Sequence, residues 1–202
     1  MIIRNIGKFA AGIIITIIFF GASVIGAQQE TKKYDKVEAY KDDGFALVRL
    51  NNKVGLIDKN GKEVVPCIYD MIAGTIIIYK DGYMSGYFSD GLALAQKDNK
   101  YGFVDQNGKE VTPFKYVEAR PVIEGMAPVQ LELSGKWGYI NQYGEEIIPF
   151  KYAGTSDFEN GFASVSLDGK KWIYIDKEGN EYATKKAVQK ALNNSKQKKI
   201  DR

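Results

Sequence analysis

The sequence predicts an all-β protein, an array of four β-hairpin or meander repeats of about 35 residues each. A tyrosine recurs along the chain, and three short phrases follow it in a fixed order. Apolar residues alternate within these phrases, which indicates strands rather than helices. The tyrosines are Tyr34, Tyr69, Tyr116 and Tyr152, and they begin units that span 34–68, 69–115, 116–151 and 152–182. We expect an open stack of units, with a propeller-like closure as the alternative.

The first phrase of each unit begins with a glycine and continues as a short strand. Its copies are GFALV at 44–48, GLALA at 91–95, GMAPV at 125–129 and GFASV at 161–165. Side chains alternate along a strand, so small residues share one face and larger residues share the other. We expect a neighbour to approach the small face closely, and this face carries Ala46, Ala93, Ala127 and Ala163.

The second phrase places a glycine between larger residues. Its copies are KVGLID at 53–58, KYGFVD at 100–105, KWGYIN at 136–141 and, without the glycine, KWIYID at 171–176. A glycine inside a strand costs stability, so its recurrence predicts a close backbone approach by a neighbouring strand or ring, or a bulge. The fourth unit has Ile173 instead, which we attribute to the lack of a next unit at the end of the array.

A turn leads from the second phrase into the third. The turns are DKNG at 58–61, DQNG at 105–108, NQYG at 141–144 and DKEG at 176–179, which are typical of a type I turn followed by a left-handed glycine. The third phrase is GKEVVP at 61–66, GKEVTP at 108–113, GEEIIP at 144–149 and a diverged GNEYAT at 179–184. We expect each turn aspartate to bind backbone within its own turn. We expect solvated strand positions for Glu63, Glu110, Glu146 and Glu181.

These phrases resemble the WG (or KWG) repeat family of bacterial proteins over residues 34–182. Only Trp137 and Gly138 show the pair that names the family, since Val54 and Tyr101 replace the tryptophan and Ile173 replaces the glycine. The resemblance implies an all-β repeat domain of the kind often found in exported proteins. It implies no reaction, because the family has no established catalytic residues to carry over.

The segments outside the repeats differ from them in composition. Residues 1–27 run from basic through apolar to small residues, which predicts a secretory signal peptide, or an uncleaved membrane anchor as the alternative. Residues 28–33 form a linker. The tail 183–202 holds seven basic residues and one acidic residue, and its apolar spacing predicts a short helix over about 183–193. We expect this helix to cap the last repeat, or to lie on an anionic surface such as a membrane.

The composition removes several kinds of site. The chain has no histidine, so Ser–His–Asp and Cys–His catalysis cannot be built, nor can the usual zinc sites. Cys67 is the sole cysteine, so no disulfide forms within one chain. We expect no cofactor, no metal and no enzymatic activity. The alternative is an envelope enzyme that acts on carbohydrate with two carboxylates.

The interpretation that remains is an exported, non-catalytic scaffold that binds a protein or polymer of the cell envelope, in the periplasm, at the cell surface or outside the cell. A structural envelope protein that self-assembles through edge strands is a further alternative. We expect no nucleic acid partner. Aromatic residues and the insertion 71–88 in the second unit are the candidates for partner binding. The candidate residues are Trp137, Trp172, Tyr139, Tyr79, Tyr83 and Tyr87.

Overall fold

The computed structural model describes residues 33–79, 82–132 and 135–200. The predicted signal segment 1–27 lies outside these residues. The described part of the chain is a succession of antiparallel sheets followed by a helix, as the repeats predict. No helix within it is long and apolar enough to cross a membrane.

Each unit forms its own sheet, with strands in sequence order. The first sheet contains β1 (Lys36–Val37), β2 (Ala46–Leu50), β3 (Lys53–Ile57) and β4 (Glu63–Tyr69). In the second unit β5 (Met71–Ile72) is followed by a separate hairpin, β6 (Thr75–Tyr79) and β7 (Gly82–Gly86), and then by β8 (Leu92–Lys97) and β9 (Lys100–Asp105). The second sheet has the order β5-β8-β9, with β6 and β7 pairing apart from it.

The third and fourth units repeat the plan of the first. The third sheet contains β10 (Glu118–Ala119), β11 (Met126–Gln130), β12 (Trp137–Asn141) and β13 (Glu146–Tyr152). The fourth contains β14 (Gly154–Thr155), β15 (Phe162–Ser166), β16 (Trp172–Asp176) and β17 (Glu181–Tyr182). Helix α1 (Lys185–Ile200) follows, longer than the predicted 183–193. The hydroxyl of Thr184 accepts a hydrogen bond from the backbone N–H of Ala187 at 3.2 Å and caps the helix start.

The sheets stack small face on large face, so each small face that is covered has the close neighbour predicted for it. One buried cluster joins Leu47 and Leu56 of the first sheet to Ala93 and Ala95 of the second. Equivalent clusters join the second sheet to the third and the third to the fourth. No cluster among the described residues joins the fourth sheet back to the first, so the array is an open stack.

Glycine in the second phrase does allow a close approach, but the neighbour is not the next unit. Val54 pairs with Tyr69 and Leu56 with Val65, so residues 66–68 of β4 bulge out directly opposite Gly55. A Cβ at Gly55 would collide with this bulge, which belongs to the same unit. The bulge also places Pro66 inside a strand at a position where a missing N–H is tolerated.

Our explanation of Ile173 was therefore wrong. The fourth unit lacks the bulge because β17 ends at Tyr182, where it pairs with Tyr174, and the chain then enters α1. On the β17 side, no strand of the described chain lies opposite position 173, so a side chain fits there. Isoleucine in the fourth unit reflects the loss of the Pro-containing phrase, rather than the end of the array.

Candidate functional site

Carboxylates next to the first glycine of a unit tie each unit to the next one. The carboxylate of Asp43 accepts hydrogen bonds from the backbone N–H groups of Tyr87 and Phe88 at 2.6 and 3.1 Å. Asp90 accepts one from Gly125 at 2.7 Å. Glu124 accepts two, from Asn160 and Gly161, both at 2.7 Å. Such charge-assisted bonds are stronger than neutral ones. The sequence analysis missed this ladder, although the signal is visible as an acid just before Gly44, Gly91 and Gly125.

A second ladder joins the recurring tyrosines to the glutamates of the third phrase. Tyr34 donates its hydroxyl to Glu63 at 2.8 Å, and Tyr152 donates to Glu181 at 3.4 Å. Burial and then the charge of Glu110 raise the pKa of the Tyr69 phenol to about 12. Glu110, Glu146 and Glu181 are exposed and Glu63 is half-buried, which agrees with the expectation of solvated strand positions. The sequence analysis did not foresee that each of them also lies near a tyrosine.

The turn acids bind their own turns, as predicted. Asp58 accepts the backbone N–H groups of Asn60 and Lys62 at 2.8 and 3.0 Å. Asp105, Asn141 and Asp176 repeat this arrangement in the later units. Within the described ranges, no three Cys, Asp or Glu residues come together as a metal-binding group.

Three of the six candidate aromatic residues have described side chains that pack within the array. Tyr139 is fully buried, and its hydroxyl donates to the carbonyl of Ser156 at 2.7 Å. Tyr87 is only 3% exposed. Both belong to the core, so the prediction that they contact a partner directly does not fit their burial. Trp137 is partly buried, and the guanidinium of Arg120 lies 5.3 Å from its ring.

Arg120 connects the third unit to the fourth beside Trp137. It donates to the backbone carbonyl and the hydroxyl of Thr155 at 2.9 and 2.7 Å, and it pairs with Asp157 at 3.4 Å. The ring of Trp137 therefore supports a cation that bridges two units. Trp137 thus helps to hold the third unit against the fourth.

Among the four candidates whose side chains the structure describes, Trp172 is the accessible one, with 48% of its surface exposed. It begins β16 and its ring lies over Gly154, where a Cβ would come within 2.9 Å of it. Leu167 is 52% exposed in the same hairpin, and its carbonyl accepts a hydrogen bond from the side chain of Lys136 at 3.2 Å. Leu131 is 39% exposed in the neighbouring hairpin of the third unit. We call Trp172, Leu167, Leu131 and Lys136 the hairpin patch.

Differences in loop length explain why the patch lies at this end of the array. In the first two units the hairpins turn at Asn51–Asn52 and Asp98–Asn99, which adopt left-handed φ values between 51° and 64°. Such two-residue turns are short and polar. The third and fourth units replace them with longer loops that carry Leu131 and Leu167. The patch therefore combines exposed apolar surface with the lysine side chain of Lys136.

The remaining candidates, Tyr79 and Tyr83, lie on the separate hairpin of the second unit. Tyr79 pairs with Gly82, and Tyr83 pairs with Ile78. The hairpin is the predicted insertion, and it forms the predicted strand over 75–79. Strands β6 and β7 pair with each other and not with the second sheet.

Helix α1 lies against the outer face of the fourth sheet and leaves a cleft there of about 890 Å³. Phe162 and Tyr174 line the sheet side, while Val188 and Leu192 line the helix side. This position agrees with a helix that covers the large face of the last repeat. Lys185 and Gln189 make the cleft partly polar.

Comparison with known proteins gives a clear result at the level of family. The family model described as "WG containing repeat" matches residues 31–53, 55–83, 77–101, 101–136 and 137–170, most of the chain. No curated protein matches the chain.

Solved structures share some similarity with the chain. A protein of unknown function from Bacteroides caccae is 16% identical, with a TM-score of 0.32, over 73% of this chain and 58% of that protein. A virginiamycin B lyase from Staphylococcus aureus is 17% identical, with a TM-score of 0.31, over 74% of this chain and 70% of the lyase. The chain thus spans less than two thirds of the first of these proteins.

Proposed function

Because this chain belongs to the family of WG-containing repeat proteins, we propose that it is an exported, non-catalytic scaffold that binds a protein or polymer of the cell envelope. The hairpin patch is the binding surface. The observation that carries this proposal is that the repeated acidic side chains are hydrogen-bonded within the array, whereas large apolar side chains of the hairpin patch are exposed. Repeated acids are bonded within the stack, while Trp172, Leu167 and Leu131 remain exposed.

The position of the carboxylates supports a binding role over a carbohydrate-acting enzyme. A glycosidase needs two carboxyl groups about 5–10 Å apart, facing one substrate. Here each turn acid accepts backbone N–H groups in its own unit, which leaves little freedom for proton transfer. The junction acids Asp43 and Glu124 are likewise engaged in holding adjacent units.

The chemistry of the hairpin patch indicates the kind of partner. Exposed tryptophan and leucine side chains favour apolar or ring-shaped groups, and tryptophan is frequently a dominant contact in interfaces. The ammonium group of Lys136, together with exposed Lys170 and Lys171 beside Trp172, favours negative charge. The partner therefore presents apolar groups next to anionic ones, which an envelope polymer or an acidic protein surface supplies.

A capture experiment tests the binding surface. The full chain is immobilised and exposed to a detergent-solubilised envelope fraction, in parallel with Trp172→Ala and Tyr143→Ala. Tyr143 is 70% exposed but lies in a turn at the other end of the strands, so it is a matched control. We expect saturable retention of one component, weakened about tenfold by Trp172→Ala and unchanged by Tyr143→Ala.

Two outcomes contradict the proposal. Equal retention by both variants would remove the hairpin patch from the binding surface. Retention that Trp172→Ala leaves unchanged, but that substitution of the lysines of the basic tail by glutamine abolishes, would assign the contact to the tail. Fractionation of cells that express the chain tests export separately, and recovery in the cytoplasm alone would contradict that part.

A further inference from the structure

The hairpin of the second unit has one edge covered and one edge open. On the β7 side, the backbone N–H of Asp42 donates to the carbonyl of Ser85 at 2.9 Å, and the N–H of Ser85 donates to the Asp42 carboxylate at 2.7 Å. On the β6 side, the described part of the chain offers no other strand, since β6 pairs only with β7. Within residues 33–79, 82–132 and 135–200, no strand therefore pairs with the backbone groups along the outer edge of β6.

The strand register identifies which groups point outward from β6. Residues opposite each other in an antiparallel pair alternate between exchanging both hydrogen bonds and pointing those groups away. Ser85 turns its N–H and carbonyl toward Asp42, so Ser85 and Ile76 form a non-hydrogen-bonded pair, and Ile76 directs its own N–H and carbonyl away from β7. By alternation, Ile78 also directs its N–H and carbonyl outward, while Ile77 directs them to Met84.

The sequence of β6 lacks the features that protect an edge strand. It reads Thr-Ile-Ile-Ile-Tyr, without charge, proline or bulge. Natural edges are usually blocked by such features, because an uncharged edge pairs with another chain. An isolated two-stranded hairpin is also only marginally stable in water, and an added strand on its open edge stabilises it.

We propose that β6 pairs with β6 of a second copy of this chain, antiparallel across a twofold axis that passes beside Ile77. The outward groups make this strand its own complement. Ile76 lies opposite Ile78 of the second copy, and each such pair exchanges both backbone hydrogen bonds. Ile77 lies opposite itself, and Thr75 lies opposite Tyr79. No charged residue meets another across the pairing, so the isologous contact carries no charge repulsion.

The dimer goes beyond binding at the hairpin patch and has a consequence for it. Two joined β6–β7 hairpins form one four-stranded sheet with two arrays attached. Each dimer then carries two hairpin patches, so a polymer with repeated sites is bound with a higher effective concentration. The insertion thereby acts on avidity, rather than by contacting the envelope partner itself.

Cysteine cross-linking tests the pairing and its register. In a pair of the kind that Ile77 makes with itself, the Cα atoms lie about 4.5–5.5 Å apart, within reach of a disulfide. Residues two positions out of register are about 7–8 Å apart, which is too far. Cys67 is replaced by Ser in all variants. Its thiol reacts slowly in any case, because burial raises the pKa of Cys67 to about 11.

We compare Ile77→Cys with Ile78→Cys in the full chain, under mild oxidation in detergent. The expected result is a disulfide-linked dimer that forms at least about tenfold faster for Ile77→Cys, because only that position meets itself. Equal rates for the two variants, or no dimer from either, would overturn the proposal. Both substitutions lie on β6, outside the repeat sheets and away from the edge that Asp42 covers, so we expect the repeat sheets to fold in either variant.

Sedimentation of the uncrosslinked full chain gives a second, independent measurement. Ile78→Pro removes an outward N–H without removing a bond to β7. We therefore expect the dissociation constant of its dimer to be about tenfold higher than that of the wild-type chain. Trp172→Ala should leave dimerisation unchanged, which separates this proposal from the binding surface. A wild-type chain that stays monomeric over the accessible concentrations would overturn it.

Discussion

The glycine of the second phrase gives the sharpest prediction about stability. Gly138→Ala adds a methyl group to the middle strand of the third sheet. Its Cβ would lie 2.6 Å from the carbonyl oxygen of Ile148 and 3.1 Å from the backbone nitrogen of Phe150. Phe150 belongs to the bulge of β13, where residues 149–151 lie opposite Gly138, and Ile148 is the paired residue directly before the bulge. The methyl group therefore forces the bulge outward.

Two opposing contributions set the change in the free energy of unfolding that Gly138→Ala causes. Replacing glycine by alanine lowers the entropy of the unfolded chain, which stabilises a protein by about 0.4–1 kcal/mol where the residue fits. Overpacking of a buried site costs about 1–3 kcal/mol. Backbone contacts at this distance put the cost at the upper end, so we expect a net loss of about 2 kcal/mol in the free energy of unfolding. For a chain of this size that corresponds to about 4–8 °C in Tm.

Urea denaturation followed by tryptophan fluorescence measures this loss. Gly74→Ala is the matched control, because its Cβ would make only ordinary contacts at 3.9 Å. We expect the control to be neutral or slightly stabilising. If Gly138→Ala unfolded at the same urea concentration as Gly74→Ala, the close approach of the bulge would not be the reason for glycine.

Other side chains of the array give further predictions. Glu124→Ala removes the acceptor of two backbone N–H groups of the fourth unit and should lower the free energy of unfolding by about 1–3 kcal/mol. Denaturation of exposed Glu118→Ala is the comparison, and an equal effect would refute the ladder. Burial alone would raise the pKa of Asp176, but hydrogen bonds within its turn outweigh burial and lower it. The ionised Asp176 carboxylate therefore stabilises the fold, fully above the unfolded pKa of about 4 and less and less as pH falls through the lower folded pKa. Acid titrations of unfolding should show this loss in the wild-type chain and not in Asp176→Asn. Burial raises the pKa of Tyr139, so stability should fall as pH rises above about 10, and less steeply in Tyr139→Phe; parallel alkaline profiles would contradict this.

Repetition made much of the fold predictable from one sequence. The turn residues could be identified because Asp58 and its equivalents recur with a glycine three positions later, and that combination has one local structure. The small-on-large stacking was also visible, because Ala93 and Leu92 fall on opposite faces of the same strand. Both features depend on local geometry that a strand or turn imposes by itself.

Features that depend on pairing between strands were harder to predict. The close approach or bulge opposite Gly55 was expected, but that it comes from the same unit could not be foreseen, because the register shift of β4 cannot be seen until the two strands are paired. Tyr139 was taken for a binding residue because the sequence gives no sign that Ser156 of the next unit accepts its hydroxyl. The phrases KWGYIN and KWIYID put Trp137 and Trp172 at equivalent positions, and the sequence gives no sign that the guanidinium of Arg120 lies over Trp137 while Trp172 is 48% exposed.

Hydrogen exchange of the full chain, free and bound to the isolated envelope fraction, tests the central claim most directly. The claim is that the repeated residues hold the stack together and that the hairpin patch binds the partner. It predicts new protection in the loops around 131–137 and 166–172, with the turns at 58–61, 105–108 and 141–144 unchanged. New protection at those turns, with none in the loops, would contradict it.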